Sequence, residues 1–375
     1  MLVPLITDLR GDTESGRQIA GPIVEQLVEQ RLCRMAVVPE LGGLGLSTLE
    51  TLDVYEVLAA AEASVGWVAW NNSLPCLFSR FLSAESRAET FADPTWLYAS
   101  STRPSGKAAV TDDGYRVSGR WSLVSGCELA EWIPLMCLVE EGGELRMVGP
   151  GSPEVRFMFV RKGHYEILDT WNVGGLRGTG SHDVVVDDLF VAREHSLSPA
   201  DPCTLEHPIA RVPIIATLSA GFASQTLGVA RMTIDSVVDS ARTKVTPGPM
   251  PDLRDRAAAQ AAVTRQSTEV AAARAYLHDC TGQIWAKALA GDAIGGSDLV
   301  TAFGAASYAI EVAHKTVETM YATAGTSALY VESPLERAHR DMHAMLRHVI
   351  AQPVWQEQAG RVMFGMDPTD PLFMV

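Results

Sequence analysis

The residue patterns of this chain fall into three consecutive blocks, helical, then strand-like, then helical again. Ile19, Ile23, Val24, Leu27 and Val28 recur at helical spacing. The turn Glu40-Leu41-Gly42-Gly43-Leu44-Gly45 follows, and Ser47 with Glu50 three residues later forms a capping-box signature for a helix over residues 49–64. Near Trp96 the character changes. Short β-rich runs appear, including 155–160, 165–171 and 184–191, separated by turns such as Thr111-Asp112-Asp113-Gly114 and Glu141-Gly142-Gly143. Their regular spacing predicts a compact antiparallel barrel or sandwich. After Pro202, helices are predicted over 214–243, 253–290, 298–324 and 334–350, joined by short connections. Segregated runs give separate α and β layers, an α+β chain and not an alternating doubly wound sheet. The expected domains are 1–96 (helical), 97–199 (antiparallel β-barrel) and 200–375 (four-helix bundle).

Composition narrows the function classes. Hydrophobic residues make up 47% of the 375 and charged residues 20%, the balance of a globular chain with an ample core. A formal charge of −15 argues against a nucleic-acid surface, which needs a basic face. The apolar stretch at 209–223 carries Arg, Pro, Ser and Gly and falls short of a membrane span. With no leader pattern and six scattered cysteines lacking a CxxC pair, the expected compartment is the reducing cytoplasm.

Several familiar motifs fail on their mechanics. Gly43-Leu44-Gly45 and the glycines of 174–180 lack the strand–helix setting and spacing of a phosphate cradle. His339 and His343 lie four apart on a predicted helix, but no Glu follows the first and no third ligand is evident in sequence, so no metal is expected. No Gly-x-Ser-x-Gly elbow appears.

Three separated segments remain. They are Val117-Ser118-Gly119-Arg120-Trp121-Ser122-Leu123-Val124-Ser125-Gly126, the run from Asp169-Thr170-Trp171 through Gly174-Gly175-Leu176-Arg177-Gly178-Thr179-Gly180-Ser181-His182, and Ala324-Gly325-Thr326-Ser327 continuing to Arg340-Asp341 and His348. Together with Pro39-Glu40-Leu41-Gly42-Gly43-Leu44-Gly45 they resemble the acyl-CoA dehydrogenase superfamily, and within it the two-component flavin-dependent monooxygenases. The resemblance spans nearly the whole chain and has the same helix–barrel–bundle order.

That resemblance implies reduced FMN or FAD delivered by a separate flavin reductase, O2 as co-substrate, a C4a-hydroperoxyflavin, and a small aromatic, heteroaromatic or N/S-containing substrate. It also implies a homotetramer. Dehydrogenase members commonly keep a glutamate base after the Arg-Asp pair; here Val349 stands at that position, and the preceding residue, His348, matches a functional histidine of the monooxygenases. An imidazole there can hold or deliver a proton, the alternative being a helix histidine bonded to a backbone carbonyl.

Ser125, on a strand where Trp121, Leu123 and Ser125 would alternate onto one face, is implied to donate a hydrogen bond near the flavin; otherwise it is a turn serine. Trp121 is either a wall beside the flavin or barrel core. Ser101, Thr102 and Pro104, with Ser100, match a flavin-contacting loop. Lys244, sixteen residues after Gly228, matches a phosphate-binding arginine or is a solvated surface lysine. Gly325 and Thr326 are implied to approach a neighbouring subunit's cofactor, and 177–182 either joins them in function or closes the barrel. Pro75 occupies the place of a phenol-deprotonating histidine, which points away from a simple phenolate mechanism. The competing readings are an acyl-CoA or acyl-carrier dehydrogenase with bound FAD, and a flavin-free scaffold.

Overall fold

The computed structural model describes residues 2–243, 245 and 249–369. Six helices open the chain: α1 (Leu2–Asp8), α2 (Arg10–Gly16), α3 (Gly21–Glu29), α4 (Thr48–Ala61), α5 (Ala63–Phe78) and α6 (Ala84–Thr90). The capping box at α4 is present, with the Glu50 amide donating to Ser47 Oγ at 3.3 Å and the Ser47 amide to Glu50 Oε2 at 2.8 Å. The helix expected over 49–64 breaks at Glu62, whose backbone is extended. The Glu62 carboxylate instead accepts from the Ser64 amide at 3.4 Å and pairs with Arg337 at 3.3 Å.

The middle block contains β1 (Leu97–Tyr98), β2 (Ser101–Val110), β3 (Gly114–Val124), β4 (Ala130–Glu141), β5 (Glu144–Leu145), β6 (Met147–Gly149), β7 (Ser152–Pro153), β8 (Val155–Arg161), β9 (Glu166–Leu168), β10 (His182–Ala192) and β11 (Ser196–Leu197). The main sheet runs β11-β8-β4-β2-β3-β10-β9, with β1 and β5 also paired to β4. It is not wholly antiparallel. β2 lies between β3 and β4, so the chain turns back from β2 into β3 and then crosses to the other side of β2, leaving β2 and β4 parallel. Val117, Trp121, Leu135, Met158 and Val184 are buried in this block's own core.

Four further helices and two short ones complete the chain: α7 (Pro208–Arg211), α8 (Ile214–Thr243), α9 (Ala257–Ala290), α10 (Gly296–Ala324), α11 (Pro334–Met345) and α12 (Val354–Met363). The largest apolar core joins α4, α5, α8, α9, α10 and α11. The last bundle helix ends at Met345, short of the expected residue 350. His348 is extended there, and its Nδ1 accepts from the Ile350 amide at 3.3 Å, a local side-chain bond that competes with continued helix.

Ion pairs and polar contacts lock the three blocks together. Glu14 of α2 bonds Arg337 and Arg340 of α11 at 2.8 and 2.7 Å. Asp341 accepts from the Leu176 amide at 2.6 Å, and Arg340 donates to the Gly174 carbonyl. A Cβ on Gly175 would lie 2.2 Å from the Arg340 carbonyl oxygen, so only glycine permits this close approach. Five of the six free cysteines are buried and Cys203 is exposed. Among the described residues, no helix is long and apolar enough to cross a membrane.

Candidate active site

His348 enters a cage of three aromatic rings. Phe222 of α8 stacks on its imidazole with centroids 5.3 Å apart, and Trp67 and Trp70 of α5 meet it edge-on at 5.4 Å each. The two tryptophans lie three residues apart, hence on one helical face. Burial, and then the positive charge of Arg103, pull the imidazole down to about 4, so it is neutral at pH 7. Because Nδ1 accepts the Ile350 amide, the ring proton belongs on Nε2. His348 therefore presents a neutral N–H donor in apolar surroundings.

Trp67 links His348 to Ser125. Its Nε1–H donates to Ser125 Oγ at 3.0 Å. Ser125 Oγ lies 2.8 Å from Ser181 Oγ, which lies 2.6 Å from Thr179 Oγ1, and Thr179 donates to the Leu176 carbonyl at 2.9 Å. Each hydroxyl has one proton. With Thr179's committed to Leu176, Ser181 must donate to Thr179 and Ser125 to Ser181. In this arrangement Ser125 donates to Ser181 and accepts from Trp67, which it positions.

The expected alternation of Trp121, Leu123 and Ser125 is also overturned. β3 pairs with β10 at Trp121–Val184 and Val124–His182, three residues against two, which is a bulge. Leu123 takes up the extra residue at φ 62° and is 47% exposed. Trp121 is fully buried and donates to the Met136 carbonyl at 2.7 Å. Its ring lies over Gly106, where a Cβ would come within 1.9 Å of it. Trp121 is barrel core and offers no surface to a cofactor.

Residues at the start of β2 bring a cation toward the cage, since the charge of Arg103 acts on His348. The β2–β4 ladder is lost between Ser101 and Gly106, which frees residues 102–105 from it. Ser101 is buried, with Oγ accepting the Arg103 amide at 3.4 Å, whereas Thr102, Arg103 and Pro104 are exposed. Arg103 has no carboxylate partner among the described residues. Free backbone groups, a hydroxyl, a cation and the exposed Leu123 suit a planar amphipathic group such as a flavin.

Residues 220–353 match the family model described as acyl-CoA dehydrogenase, C-terminal domain. An indole-3-acetate monooxygenase of Pseudomonas putida is 26% identical over 359 residues, covering 96% of this chain and 90% of the relative. The solved 3-HSA hydroxylase of a Rhodococcus species superposes with a TM-score of 0.91 at 26% identity, covering 100% of this chain and 97% of that one. Over residues 220–353 the chain is similar to the acyl-CoA dehydrogenase superfamily's C-terminal domain, and over nearly its whole length to flavin-dependent monooxygenases. XiaF of a Streptomyces species, solved with FADH2 and glycerol, is a further similar structure, with TM-score 0.90, 25% identity and coverage of 99% and 94%.

Against this superfamily's architecture, the sequence-predicted residues divide. His348 and Ser125 both contact the Trp67 indole, and Ser101, Thr102 and Pro104 share a segment with Arg103, whose charge reaches His348. Gly325 and Thr326 are exposed at the end of α10, and no described contact joins them to the cage. Lys244 lies outside the described residues. The 177–182 run closes the barrel against α11 through Leu176 and Asp341. Pro75 is buried inside α5, while Trp67 and Trp70 occupy the face turned to His348.

Sequence reading missed Trp67, Trp70, Phe222 and Arg103. The i, i+3 tryptophan pair was a visible signal, but such pairs are ordinary core. Dismissing His339 and His343 for want of a third donor was also incomplete, since His314 and Glu318 of α10 face them.

Proposed function

We propose that this chain is the oxygenase component of a two-component monooxygenase, taking reduced FMN or FAD from a separate reductase and oxygenating a small aromatic or heteroaromatic substrate. The observation that carries the reading is a neutral His348 inside an aromatic cage. Val349, the residue after His348, is 48% exposed and cannot accept a proton. Among the described residues no carboxylate is paired with His348, so proton abstraction beside a thioester has no base there.

When bound, reduced flavin supplies the two electrons by which one atom of dioxygen enters the substrate and the other leaves as water. The protein's own residues do the rest. His348 holds a proton on Nε2 and offers it to an oxygen atom in the cage. Trp67, Trp70 and Phe222 exclude water and provide faces for a planar substrate. Ser125, its proton committed to Ser181, fixes Trp67. Arg103 provides a cation for an anionic group of cofactor or substrate. The similarity to an indole-3-acetate monooxygenase supports an aromatic carboxylate as the first substrate to try.

A homotetramer and a cytoplasmic address complete the proposal. The exposed apolar run Leu329, Tyr330 and Val331, next to Gly325 and Thr326, supports an interface between copies. The decisive experiment supplies chemically reduced flavin and 18O2 with a panel of aromatic acids, phenols and indoles. One labelled oxygen atom per product, with little peroxide, is expected. Bleaching of bound flavin by an acyl thioester, with no label incorporated, would overturn the reading.

A further inference from the structure

The bundle carries a second concentration of imidazoles, away from His348. His314 and Glu318 lie four apart on α10, and His339 and His343 four apart on the facing helix α11. Such i, i+4 pairs project from one helical face. The Nε2 atoms of His343, His339 and His314 lie 3.0, 3.1 and 3.8 Å from a single oxygen, Glu318 Oε1. The donor atoms of His314, Glu318 and His343 all fall within 4.8 Å of one another. In a tetrahedral site with metal–ligand bonds of about 2.0–2.2 Å, neighbouring donors are about 3.3–3.5 Å apart. The three distances bracket that separation.

We propose that His314, Glu318 and His343 bind one divalent first-row transition-metal ion of the zinc class, clamping α11 to α10, with His339 beside Glu318 Oε1. Of the three imidazoles around Glu318 Oε1 only His343 is hydrogen-bonded to it, at 3.0 Å, so the His314 ring faces the carboxylate without such a bond to it. Two imidazoles with one carboxylate favour zinc, cobalt or nickel over magnesium or calcium. Tyr321 stacks on the His339 ring at 4.4 Å and fixes its orientation. The other His-carboxylate group, Asp53, Glu56 and His278, differs because Arg274 already bonds both carboxylates at 2.5 and 2.6 Å. Its cation is a guanidinium.

The site has a structural consequence. α11 holds the barrel-closing loop through Arg340 and Asp341, and the chain passes from His343 to His348 in five residues. A metal clamp would fix the segment that delivers His348 to its cage.

The test uses the full chain, freed of any affinity tag and stripped of metal, titrated with Co2+ and then Zn2+. One equivalent of cobalt should bind with the visible bands of a four-coordinate site, and zinc should displace it and raise Tm. His339→Gln with His343→Gln should weaken binding by about 100-fold, while His278→Gln leaves it unchanged. Circular dichroism of each metal-free variant checks folding, and Glu318→Gln replaces the double variant should that one not fold. Absence of the cobalt bands, binding that survives these α10 and α11 substitutions, or dependence on His278 would overturn the proposal.

Discussion

A histidine with an ordinary pKa would gain charge as pH falls through 6.5; His348 should not. Its imidazole is held down to about 4 by burial among Phe222, Trp67 and Trp70 and, secondarily, by Arg103. Unfolding returns it to about 6.5, so the unfolded chain binds the proton first. The stabilisation is therefore intact above pH 6.5 and lost as pH falls toward 4. At about 1.4 kcal/mol for each pH unit, the loss attributable to this residue is at most about 3 kcal/mol. Nitrogen NMR on histidine-labelled protein, with His348 assigned by its disappearance in His348→Asn, should show the Nε2–H tautomer and a midpoint near 4. Arg103→Gln should raise that midpoint toward the ordinary value. His348→Asn should lose the corresponding part of the acid dependence in urea unfolding between pH 4 and 6.5. A midpoint near 6.5, or the proton on Nδ1, would refute the assignment of His348 as a neutral donor.

Other consequences are open to measurement. Trp67→Phe removes the donor to Ser125 Oγ and trims the cage wall; a stability loss of about 1–3 kcal/mol and more peroxide per product formed are expected from urea unfolding and coupling assays. Burial, then repulsion from Glu62, raises the Asp341 carboxyl to about 8, so its contribution to stability falls as pH rises from about 4 to 8. Asp341→Asn can still accept the Leu176 amide and should flatten that dependence in unfolding series at pH 5 and 8. Gly106→Ala would place a methyl 1.9 Å from Trp121 Cζ2 and should cost about 1–3 kcal/mol, read as a lower Tm.

How much of this was legible in sequence depended on the range of the interaction. Ile214–Thr243 forms a helix over the predicted span because its periodicity is a property of the segment itself. The Ser47–Glu50 box is likewise local. The parallel pairing of β2 with β4 was not legible, since it arises from where a third strand is inserted. Nor was the bulge at Leu123 visible: alternation rules assume an unbroken ladder, and one extra residue on β3 reversed which side chains face the core. The end of α11 was hidden for a related reason. His348 itself captures the Ile350 amide, so the residue proposed to act chemically also terminates the helical run.

That coincidence explains why the site's supporting residues escaped a reading that had found His348 and Ser125. Family resemblance aligned the two, but only folding brings both against Trp67. The indole therefore has two partners whose roles can be separated. Removing its Nε1–H disturbs Ser125 and the hydroxyl chain to Leu176, whereas shrinking its face disturbs His348. Leu176 closes the circuit: its carbonyl receives that chain and its amide bonds Asp341, four residues after Arg337 of the Glu14–Arg337–Glu62 network. The cage that holds His348 neutral is thus continuous with the ionic contacts that join the three blocks. A substitution in that network should consequently shift the titration of His348 without touching its ring.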